Sequence, residues 1–590
     1  MHLKRLSLRF YFLSAALWLG LLSLPSWLAS CGQHDQTSAT TDHSGSPAAS
    51  GATNTSGPEP RLDSTYVMRA MAAEPRFKTQ ERWARKFYRE RQGRLGWFRG
   101  HQLVPQATTL LTVIGKAKDD GLDPKRYDTS KISKLLADLH KVGQDTARRN
   151  QLERQADVAL SGTYFAWASD YYRGVANPRD RKDESWKVKR NKIKLDRALL
   201  TILKERESTY PYYDFAPLHP EYANLKKALA LLRARQQAGG WPALPAATKL
   251  QPGATSPVVA LLRRRLLGGE NTGQSPTAVA AGATPVTNIV APANVYDPRL
   301  VEAVKSFQRD LGLRPTGLVS GTTLAELNVP IQARINQVIL NMERWRWLPK
   351  KFEPDYLIVN IPEYRLRVYE GGKQALTMRV IVGKTLTATP IFSDKMEYVV
   401  LSPYWNVPFS IIDHELRPKL AADPQGTLDR LDMEVVKGYG RKATVIDPTT
   451  IDWANLTPET FKYTLRRRPG PKNDLGEVKF IFPNSNDIYL HDTPHNELFS
   501  ETKRNFSHGC VRVEQPVELA TYLLRNNPNW DQTTIQDTIA ERKEKYVTLK
   551  EKLPVYLVYL TAWADADGHP HFRDDIYGHD KALAKEYFGD

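Results

Sequence analysis

Two short segments near residue 500 bring a histidine and a cysteine into one small region of the chain. The first, Tyr489–Pro494, carries His491 directly after the short apolar run Ile488–Leu490, and the second, Ser507–Val513, carries Cys510 directly after Gly509. A short apolar run bounded by turn residues predicts a buried strand, so we expect His491 at a strand end. Gly509 permits a tight turn that presents the sulfur and brings backbone N–H groups near a reacting carbonyl.

These residue types favour nucleophilic catalysis by a thiol. A thiol reacts slowly at neutral pH until a neighbouring base or positive charge produces the thiolate, so we predict His491 as the base and Cys510 as the nucleophile. Three alternatives stay open. Cys510 is a small buried apolar residue, or it joins His491, His495 and His508 in a zinc site, or it belongs to a papain-type protease. Pro494 argues against a helix that would align zinc ligands, and papain-type proteases place their histidine far downstream.

The order of these residues resembles the signature of the L,D-transpeptidases, the YkuD-type cell-wall enzymes. A histidine is followed after fifteen residues by Ser-His-Gly-Cys, with an arginine two residues further on. The resemblance implies that Cys510 is the nucleophile, that His491 donates and accepts the proton, and that the Asp492 backbone carbonyl orients the imidazole. It also implies an oxyanion-binding turn and a set of substrate contacts. The turn residues are Gly509, His508 and Ser507, and the substrate-binding residues are Arg512, Tyr489 and Trp405.

Length and charge limit the possible partners. The chain has 590 residues, enough for several domains, and its 83 Lys and Arg exceed its 65 Asp and Glu to give a net charge of +18. Such a charge favours an anionic partner, which would be nucleic acid, a membrane surface or an acidic wall polymer, or else it serves solubility alone. Because no nucleic-acid-binding signature accompanies the charge, we expect no nucleic-acid partner.

The N-terminus has the pattern of a secretory signal. Basic residues precede an apolar run over 10–24, which predicts a signal peptide over residues 1–30. The run ends in Leu-Ala-Ser-Cys, which resembles a bacterial lipobox in which Cys31 is lipidated and anchors the protein to a membrane. The residue after Cys31 is Gly32 and not an aspartate. By that resemblance, this favours a periplasmic location at the outer membrane of a Gram-negative bacterium. An ordinary cleaved signal and an uncleaved anchor helix are the alternatives.

The cysteine count supports a reactive thiol. Cys31 and Cys510 are the two cysteines of the chain. If Cys31 is acylated, Cys510 has no intramolecular disulfide partner, even in an oxidising compartment. We therefore expect the Cys510 thiol to be present for its reactivity.

Composition and periodicity predict a multidomain α+β chain. The predicted segments are a flexible tether over 31–64, a helical domain over 65–245, a three-helix module over 246–330, a mostly β domain over 354–545, and a C-terminal strand and tail over 546–590. The resemblance implies that the helical domain is the scaffold domain of the larger L,D-transpeptidases and that the β domain is the catalytic domain. The aromatic run Tyr164–Tyr172 within the scaffold is either core or a sugar-stacking surface.

The three-helix module resembles a small peptidoglycan-binding fold. The resemblance rests on Ala-Val-x-x-Phe-Gln ending at Gln308, on Gly-Leu and Thr-Gly turns, and on Thr-x-x-x-Leu-Asn ending at Asn328. An Ala/Thr/Pro/Gly-rich loop over about 268–293 interrupts it and is longer than a compact module needs. A purely structural spacer is the alternative to a binding module.

The catalytic domain is predicted to be mostly β and sandwich-like, because short alternating strands follow one another between Gly and Pro turns. Residues 413–475 depart from this pattern with three predicted helical stretches, the last over Thr457–Tyr463. They resemble a helical capping insertion over the active site. Within it, Arg466–Arg468 either bind substrate carboxylates or form a solvated face.

The resemblance implies a peptidoglycan L,D-transpeptidase of cell-wall biogenesis, without cofactor or metal. Its partners would be peptidoglycan stem peptides: a thioester forms on the third residue of a tetrapeptide stem, and an amine of a second stem takes the acyl group to make a 3-3 cross-link. Two alternatives are a wall L,D-carboxypeptidase, in which water is the acceptor, and a non-catalytic peptidoglycan-binding lipoprotein.

Overall fold

The computed structural model describes residues 59–178, 188, 192–204, 218–268, 292–438 and 442–589. The predicted signal peptide with Cys31, nearly all of the tether and nearly all of the 268–293 loop lie outside the described residues. Within the described ranges, no helix combines the length and apolar character needed to cross a bilayer. A helical N-terminal half precedes a mostly β region, which confirms the predicted multidomain α+β class.

Helices fill the described part of the scaffold region. They are α1 (Ser64–Ala72), α2 (Glu81–Glu90), α3 (Pro105–Gly115), α4 (Ser130–Lys141), α5 (Thr146–Arg173), α6 (Leu195–Lys204) and α7 (Pro220–Gln237), with a hairpin of β1 (Phe98–Arg99) and β2 (Gln102–Leu103) between α2 and α3. The aromatic run of α5 is buried, and the rings of Trp167 and Tyr171 stack on each other with centroids 5.2 Å apart. The run is therefore core and not a sugar-stacking surface.

Three further helices form the small module, and they share a separate apolar core. They are α8 (Pro257–Leu267), α9 (Pro298–Asp310) and α10 (Gly321–Leu327). The buried Gln308 amide explains the module's sequence motif: its oxygen accepts the Gly317 N–H at 2.9 Å, and its nitrogen donates to Thr323 Oγ1 at 3.0 Å. The motif residues thus serve the internal packing of the module, and they do not by themselves indicate a ligand.

One long buried helix connects the scaffold to the β region. It is α11 (Ile331–Trp347), and its fully buried Glu343 and Arg346 pair at 2.9 Å. Arg346 also donates to the Tyr222 hydroxyl of the scaffold at 2.8 Å. On the opposite side, Arg344 pairs with Asp580 near the C-terminus at 2.5 Å. Because a buried charge needs a partner, these pairs hold α11 in one orientation between the two regions.

Strands dominate the chain after α11. They are β3 (Tyr356–Asn360), β4 (Arg365–Glu370), β5 (Lys373–Gly383), β6 (Phe392–Leu401), β7 (Trp405–Asn406), β8 (Met433–Lys437), β9 (Thr444–Ile446), β10 (Thr464–Arg467), β11 (Val478–Ile481), β12 (Leu490–His491), β13 (Asn505–Ser507), β14 (Val511–Val513), β15 (Lys545–Val558), β16 (Ala562–Ala564) and β17 (Pro570–Phe572). The helices of this region are α12 (Phe409–Ile411), α13 (Arg417–Ala422), α14 (Pro424–Leu431), α15 (Pro516–Leu524), α16 (Gln532–Ala540) and α17 (His579–Phe588).

Nine of these strands form one sheet, and eight of them close into a ring. The order is β13–β5–β14–β12–β11–β6–β15–β3–β4, and β4 also pairs with β5. Alternating residues of the strands fill a common apolar core. This confirms the prediction of a mostly β, sandwich-like domain, and it places β12 and β14 side by side.

The insertion between β6 and β11 is a small α/β unit with its own core. Helices α12 to α14 pack on a four-stranded sheet of order β7–β10–β8–β9. A π-helical turn, Ile412–Leu416, joins α12 to α13. Two of the predicted helical stretches are helices, whereas the third, Thr457–Tyr463, lies in turns and extended chain that lead into β10. Its apolar spacing arises because Phe461 and Tyr463 pack on the insertion's core.

Candidate active site

The parallel pairing of β12 with β14 brings the two sequence segments together. Leu490 pairs with Val511 and His491 with Arg512, and the Val511 N–H donates to the Tyr489 carbonyl at 3.2 Å. Cys510 therefore lies beside Tyr489, two residues before the level of His491. Tyr489 and His491 alternate onto the same face, where their rings meet edge to face with centroids 5.6 Å apart.

The imidazole of His491 is held in one tautomer. The side chain is buried, and Nδ1 lies 2.5 Å from the Asp492 carbonyl oxygen. Because a carbonyl only accepts hydrogen bonds, Nδ1 carries the proton and Nε2 retains its lone pair. Burial lowers the pKa of His491 to about 3, and the nearby positive charges of Arg512 and Lys479 act in the same direction. The ring is therefore neutral and able to accept a proton.

The carboxylate of Asp492 fixes the loop that carries this carbonyl. Its oxygens accept the Glu477 N–H at 2.8 Å and the Thr493 N–H at 2.7 Å. Burial raises the pKa of Asp492 to about 6. A side chain at Gly476 would meet the Asp492 carboxylate at 2.2 Å, so only glycine fits there.

Hydrogen bonds lock the turn that presents Cys510. The Ser507 hydroxyl donates to the Cys510 carbonyl at 2.5 Å and accepts the Gly509 N–H at 3.1 Å. The Thr389 hydroxyl donates to the Gly509 carbonyl at 2.7 Å and accepts the Gly383 N–H at 2.9 Å. Gly509 has a φ of 121°, in the region that favours glycine.

The turn offers a different oxyanion donor set from the predicted one. We expected both the Gly509 and the Cys510 amides to be available, but the Gly509 N–H is occupied by the Ser507 hydroxyl. Within the described part of the chain, the Cys510 N–H donates no hydrogen bond. In this conformation the turn therefore supplies one free amide beside the sulfur.

The thiol itself is half-buried and not part of a disulfide. Its sulfur lies 3.9 Å from the Asp487 carbonyl oxygen, and no hydrogen bond to the His491 ring is formed among the described residues. Burial raises the pKa of Cys510, whereas the Tyr489 N–H, the Lys479 charge and the Tyr489 hydroxyl act in the opposite direction. Burial therefore disfavours the thiolate at Cys510, while the neighbouring lysine and tyrosine favour it.

His508 points from the turn toward the insertion. Its Nε2 lies 3.2 Å from Glu415 Oε1 on the π-helical turn, and both side chains are about half exposed. His508 therefore connects the Cys510 turn to the insertion.

The predicted substrate-binding residues occupy different surroundings. Arg512 is half-buried, and its Nε has no hydrogen-bond partner within the described chain. That leaves a donor for a carboxylate. Trp405 packs on the insertion's core, with the Arg467 guanidinium 5.5 Å from its ring centroid. Tyr489 faces the sulfur, whereas no contact of Trp405 with Cys510 is described.

The three arginines of β10 and its following turn bind carboxylates of the chain itself. Arg466 and Arg468 pair with the two oxygens of Glu434 at 2.7 and 3.0 Å, and Arg467 pairs with Asp474. These pairs stabilise the insertion, so the arginines form neither a substrate clamp nor a free solvated face.

The four candidate zinc ligands do not converge in the described chain. His495 is exposed and lies 3.5 Å from Glu497, while His508 pairs with Glu415. No group of three or more His, Cys, Asp and Glu side chains in the described ranges is arranged to hold a metal ion.

Sequence reasoning missed Lys479 and Thr389. Lys479 lies on β11 directly opposite His491, and its Nζ is 3.9 Å from the centroid of the Tyr489 ring. Thr389 is fully buried behind the turn. The alternation of β11 places Lys479 on one face, but its pairing with His491 requires the strand register, which the sequence does not give.

We expect Thr389→Val to loosen the Cys510 turn. Valine keeps the shape but leaves the Gly509 carbonyl and the Gly383 N–H without partners, and each buried unpaired group costs about 1–3 kcal/mol. Chemical denaturation should show a loss of about 2–4 kcal/mol in unfolding free energy. Thr385→Val is the matched control on the same loop, because the exposed Thr385 hydroxyl makes one long bond of 3.3 Å. Equal losses in both variants would contradict the bracing role.

Three family models match separate parts of the chain. "L,D-transpeptidase catalytic domain", of the YkuD family, matches residues 354–539, "Scaffold domain" matches residues 82–229, and "Putative peptidoglycan binding domain" matches residues 285–327. The catalytic match contains His491 and Cys510 together with the whole insertion.

A curated relative supports the same assignment. A Haemophilus influenzae protein described as "Putative L,D-transpeptidase" is 36% identical over 247 residues, a match that covers 42% of this chain and 48% of the relative. The chain thus matches about half the length of that relative.

Two solved structures were also similar. An L,D-transpeptidase from Xylanimonas cellulosilytica is 15% identical, with 53% of this chain and 99% of that chain covered and a TM-score of 0.16. A structure described as the Ldtfm-avibactam carbamoyl enzyme is 12% identical, with 44% and 80% covered and a TM-score of 0.15. With TM-scores this low, the assignment depends on the family models and the curated relative. Residues 354–539 therefore match the YkuD-type L,D-transpeptidase catalytic domain, in a chain that also matches a scaffold domain and a peptidoglycan-binding domain.

Proposed function

We propose that this protein is a peptidoglycan L,D-transpeptidase with Cys510 as its nucleophile. The observation that carries the proposal is the fixed, neutral imidazole of His491, whose Nδ1 is bound to the Asp492 carbonyl and whose Nε2 is left to accept a proton. It lies on β12, and the neighbouring strand β14 begins directly after Cys510. A base whose tautomer is fixed beside a thiol is the arrangement that cysteine acyl transfer requires.

The first half of the reaction forms a thioester. The Cys510 thiol gives its proton to His491, and the sulfur bonds to the carbonyl carbon of the third residue of a tetrapeptide stem. The free Cys510 N–H donates to the developing oxyanion. The bond to the terminal D-Ala then breaks, and the imidazolium returns the proton to the departing amine.

The second half releases the acyl group to an amine. A side-chain amine of another stem attacks the thioester carbonyl, and His491 accepts the proton from that amine. The C–S bond breaks, the sulfur regains a proton, and a 3-3 cross-link remains between two third residues. Arg512 would bind a stem carboxylate during either step, and the lack of a hydrogen-bond partner for its buried Nε within the described chain supports this role.

Defined muropeptides test this proposal. The full chain is incubated with purified disaccharide tetrapeptides, and the products are sequenced by tandem mass spectrometry. We expect a dimer whose mass equals two tetrapeptide units minus one alanine, linked between two third residues. Tripeptide without dimer would show a carboxypeptidase, because water then accepts the acyl group. Unchanged tetrapeptide, with retention of the protein on purified sacculi, would favour a non-catalytic wall-binding protein.

We also propose that the protein acts in the periplasm, anchored at Cys31 to a membrane, and that its three-helix module binds peptidoglycan. The tether over 31–64 would then give a membrane-held enzyme reach to the wall. Labelling of cells with a radioactive fatty acid should mark the wild-type chain and not Cys31→Ala. Equal labelling of both would contradict the lipid anchor.

A further inference from the structure

Strand pairing places two cations on either side of the imidazole. Lys479 on β11 pairs directly with His491 on β12, and His491 pairs directly with Arg512 on β14. Directly paired residues on neighbouring strands project to the same face of a sheet. The three side chains therefore form one row, in which the histidine stands between a lysine and an arginine.

The lysine of this row contacts the residue beside the sulfur. Its Nζ lies 3.9 Å from the centroid of the Tyr489 ring, within the range of a cation–π contact. Tyr489 is the neighbour of Cys510 across the strand pair, because its carbonyl accepts the Val511 N–H. The Lys479 ammonium thus contacts the Tyr489 ring, and Tyr489 in turn lies beside Cys510.

No carboxylate in the described chain lies within salt-bridge distance of Lys479. Glu544 and Asp487 are the acidic groups that face it more distantly, and Cys510 itself faces it as well. The Glu544 carboxylate accepts the Tyr404 N–H at 3.0 Å and is also near Arg466. A half-buried lysine without a carboxylate partner is uncommon, because burial of an unpaired charge is costly. Its positive potential is therefore directed at the Tyr489 and Cys510 side chains.

We propose that Lys479 is a positioning residue that acts through Tyr489 to favour negative charge at the Cys510 sulfur. A cation on the face of a phenol ring makes its hydroxyl a stronger hydrogen-bond donor, and the ring carries that hydroxyl toward the sulfur. The cation also opposes the burial that disfavours the thiolate. The inference rests on the proposed role of Cys510 as nucleophile.

The charged and titratable groups around the sulfur come from one loop and three strands. The loop before β12 supplies Asp487 and Tyr489, strand β11 supplies Lys479, and β12 and β14 supply His491 and Arg512. Asp487 opposes the thiolate, and Arg512 and Lys479 favour it. Removal of Lys479 therefore leaves Arg512 as the remaining cation of the row, which predicts a partial and measurable effect.

The test measures thiol ionisation without any wall substrate. The full chain is treated with iodoacetamide across a series of pH values, and alkylation of the Cys510 peptide is followed by mass spectrometry, which separates it from Cys31. For Lys479→Met we expect the midpoint of the alkylation curve to rise by about one pH unit, and the rate at neutral pH to fall about tenfold. Lys479→Arg should restore most of the rate, because arginine keeps a cation over the ring.

Lys373→Met is the matched control, since Lys373 is an exposed lysine at the start of β5. It should leave the curve unchanged. An unshifted midpoint in a folded Lys479→Met protein would overturn the proposal, and so would a Lys479→Arg variant as slow as Lys479→Met. If Lys479→Met does not fold, Lys479→Gln provides the same comparison. A shifted alkylation midpoint together with unreacted muropeptides would contradict the proposed transpeptidase function but would support the effect of Lys479 on the Cys510 thiol.

Discussion

Cys510→Ala should abolish both acyl transfer and covalent capture by a carbapenem. The β-lactam carbonyl is an acyl donor that the proposed thiol attacks, so the wild-type protein should gain one carbapenem mass in intact-mass analysis. Without the sulfur no thioester forms, and the rate of cross-linking should fall by about 10⁴-fold or more. The free Cys510 N–H and Arg512 would still be present, so weak non-covalent binding of stem peptides should persist.

Cys31→Ser is the matched control for this prediction. It removes the other cysteine of the chain, and it should leave the carbapenem adduct at full stoichiometry on the Cys510 peptide. An adduct that remains in Cys510→Ala, or that moves to another residue, would contradict the assignment of the nucleophile. A change of more than a few degrees in the melting temperature of Cys510→Ala would show that the substitution had disturbed the fold as well as removed the nucleophile.

His491→Ala should lower the rate of adduct formation by about 10²–10⁴-fold, which is the usual contribution of a positioned general base. The pH dependence separates a base from a structural residue. Because burial holds the pKa of His491 at about 3, the imidazole of the wild-type protein stays neutral throughout the physiological range. The wild-type rate should therefore show no acid-side loss near the usual histidine pKa of about 6.5. It should rise on the alkaline side, because burial raises the pKa of Cys510.

His495→Ala is the control for the base. His495 is exposed and contacts Glu497, so its loss should change the rate by less than about twofold. A wild-type profile that loses activity with a midpoint between pH 6 and 7, and a His491→Ala profile without that midpoint, would show that His491 titrates there and that the buried neutral ring is not the working state.

Much of the fold and the proposed nucleophile–base pair was accessible from the sequence, because both depend on local signals. The three helices of the small module follow from apolar spacing and from motif residues that bind one another, such as Gln308 with Gly317 and Thr323. The strand that ends at His491 and the Gly509 turn also follow from residues close in sequence. Local patterns of this kind persist in the folded state when burial and propensity agree.

The rest of the site depends on pairing between distant strands. Lys479 reaches His491 because β11 and β12 pair in one register, and a shift of one residue would turn it to the other face. Thr389 reaches the Cys510 turn across more than a hundred residues of chain through its bond to the Gly509 carbonyl. The apolar spacing of Thr457–Tyr463 predicted a helix, but tertiary packing against the insertion's core determined its conformation.

The closed order of the large sheet has a mechanical consequence. In a ring of strands, β12 cannot slip along β14 without breaking pairs all the way around, so the spacing of base and nucleophile is set when the domain folds. The α/β insertion is attached between two of these strands, packs around a core of its own and contacts the turn at Glu415 and His508. Because the insertion has a separate core, a change of its shape would alter the surroundings of His508 without changing the pairing of β12 with β14.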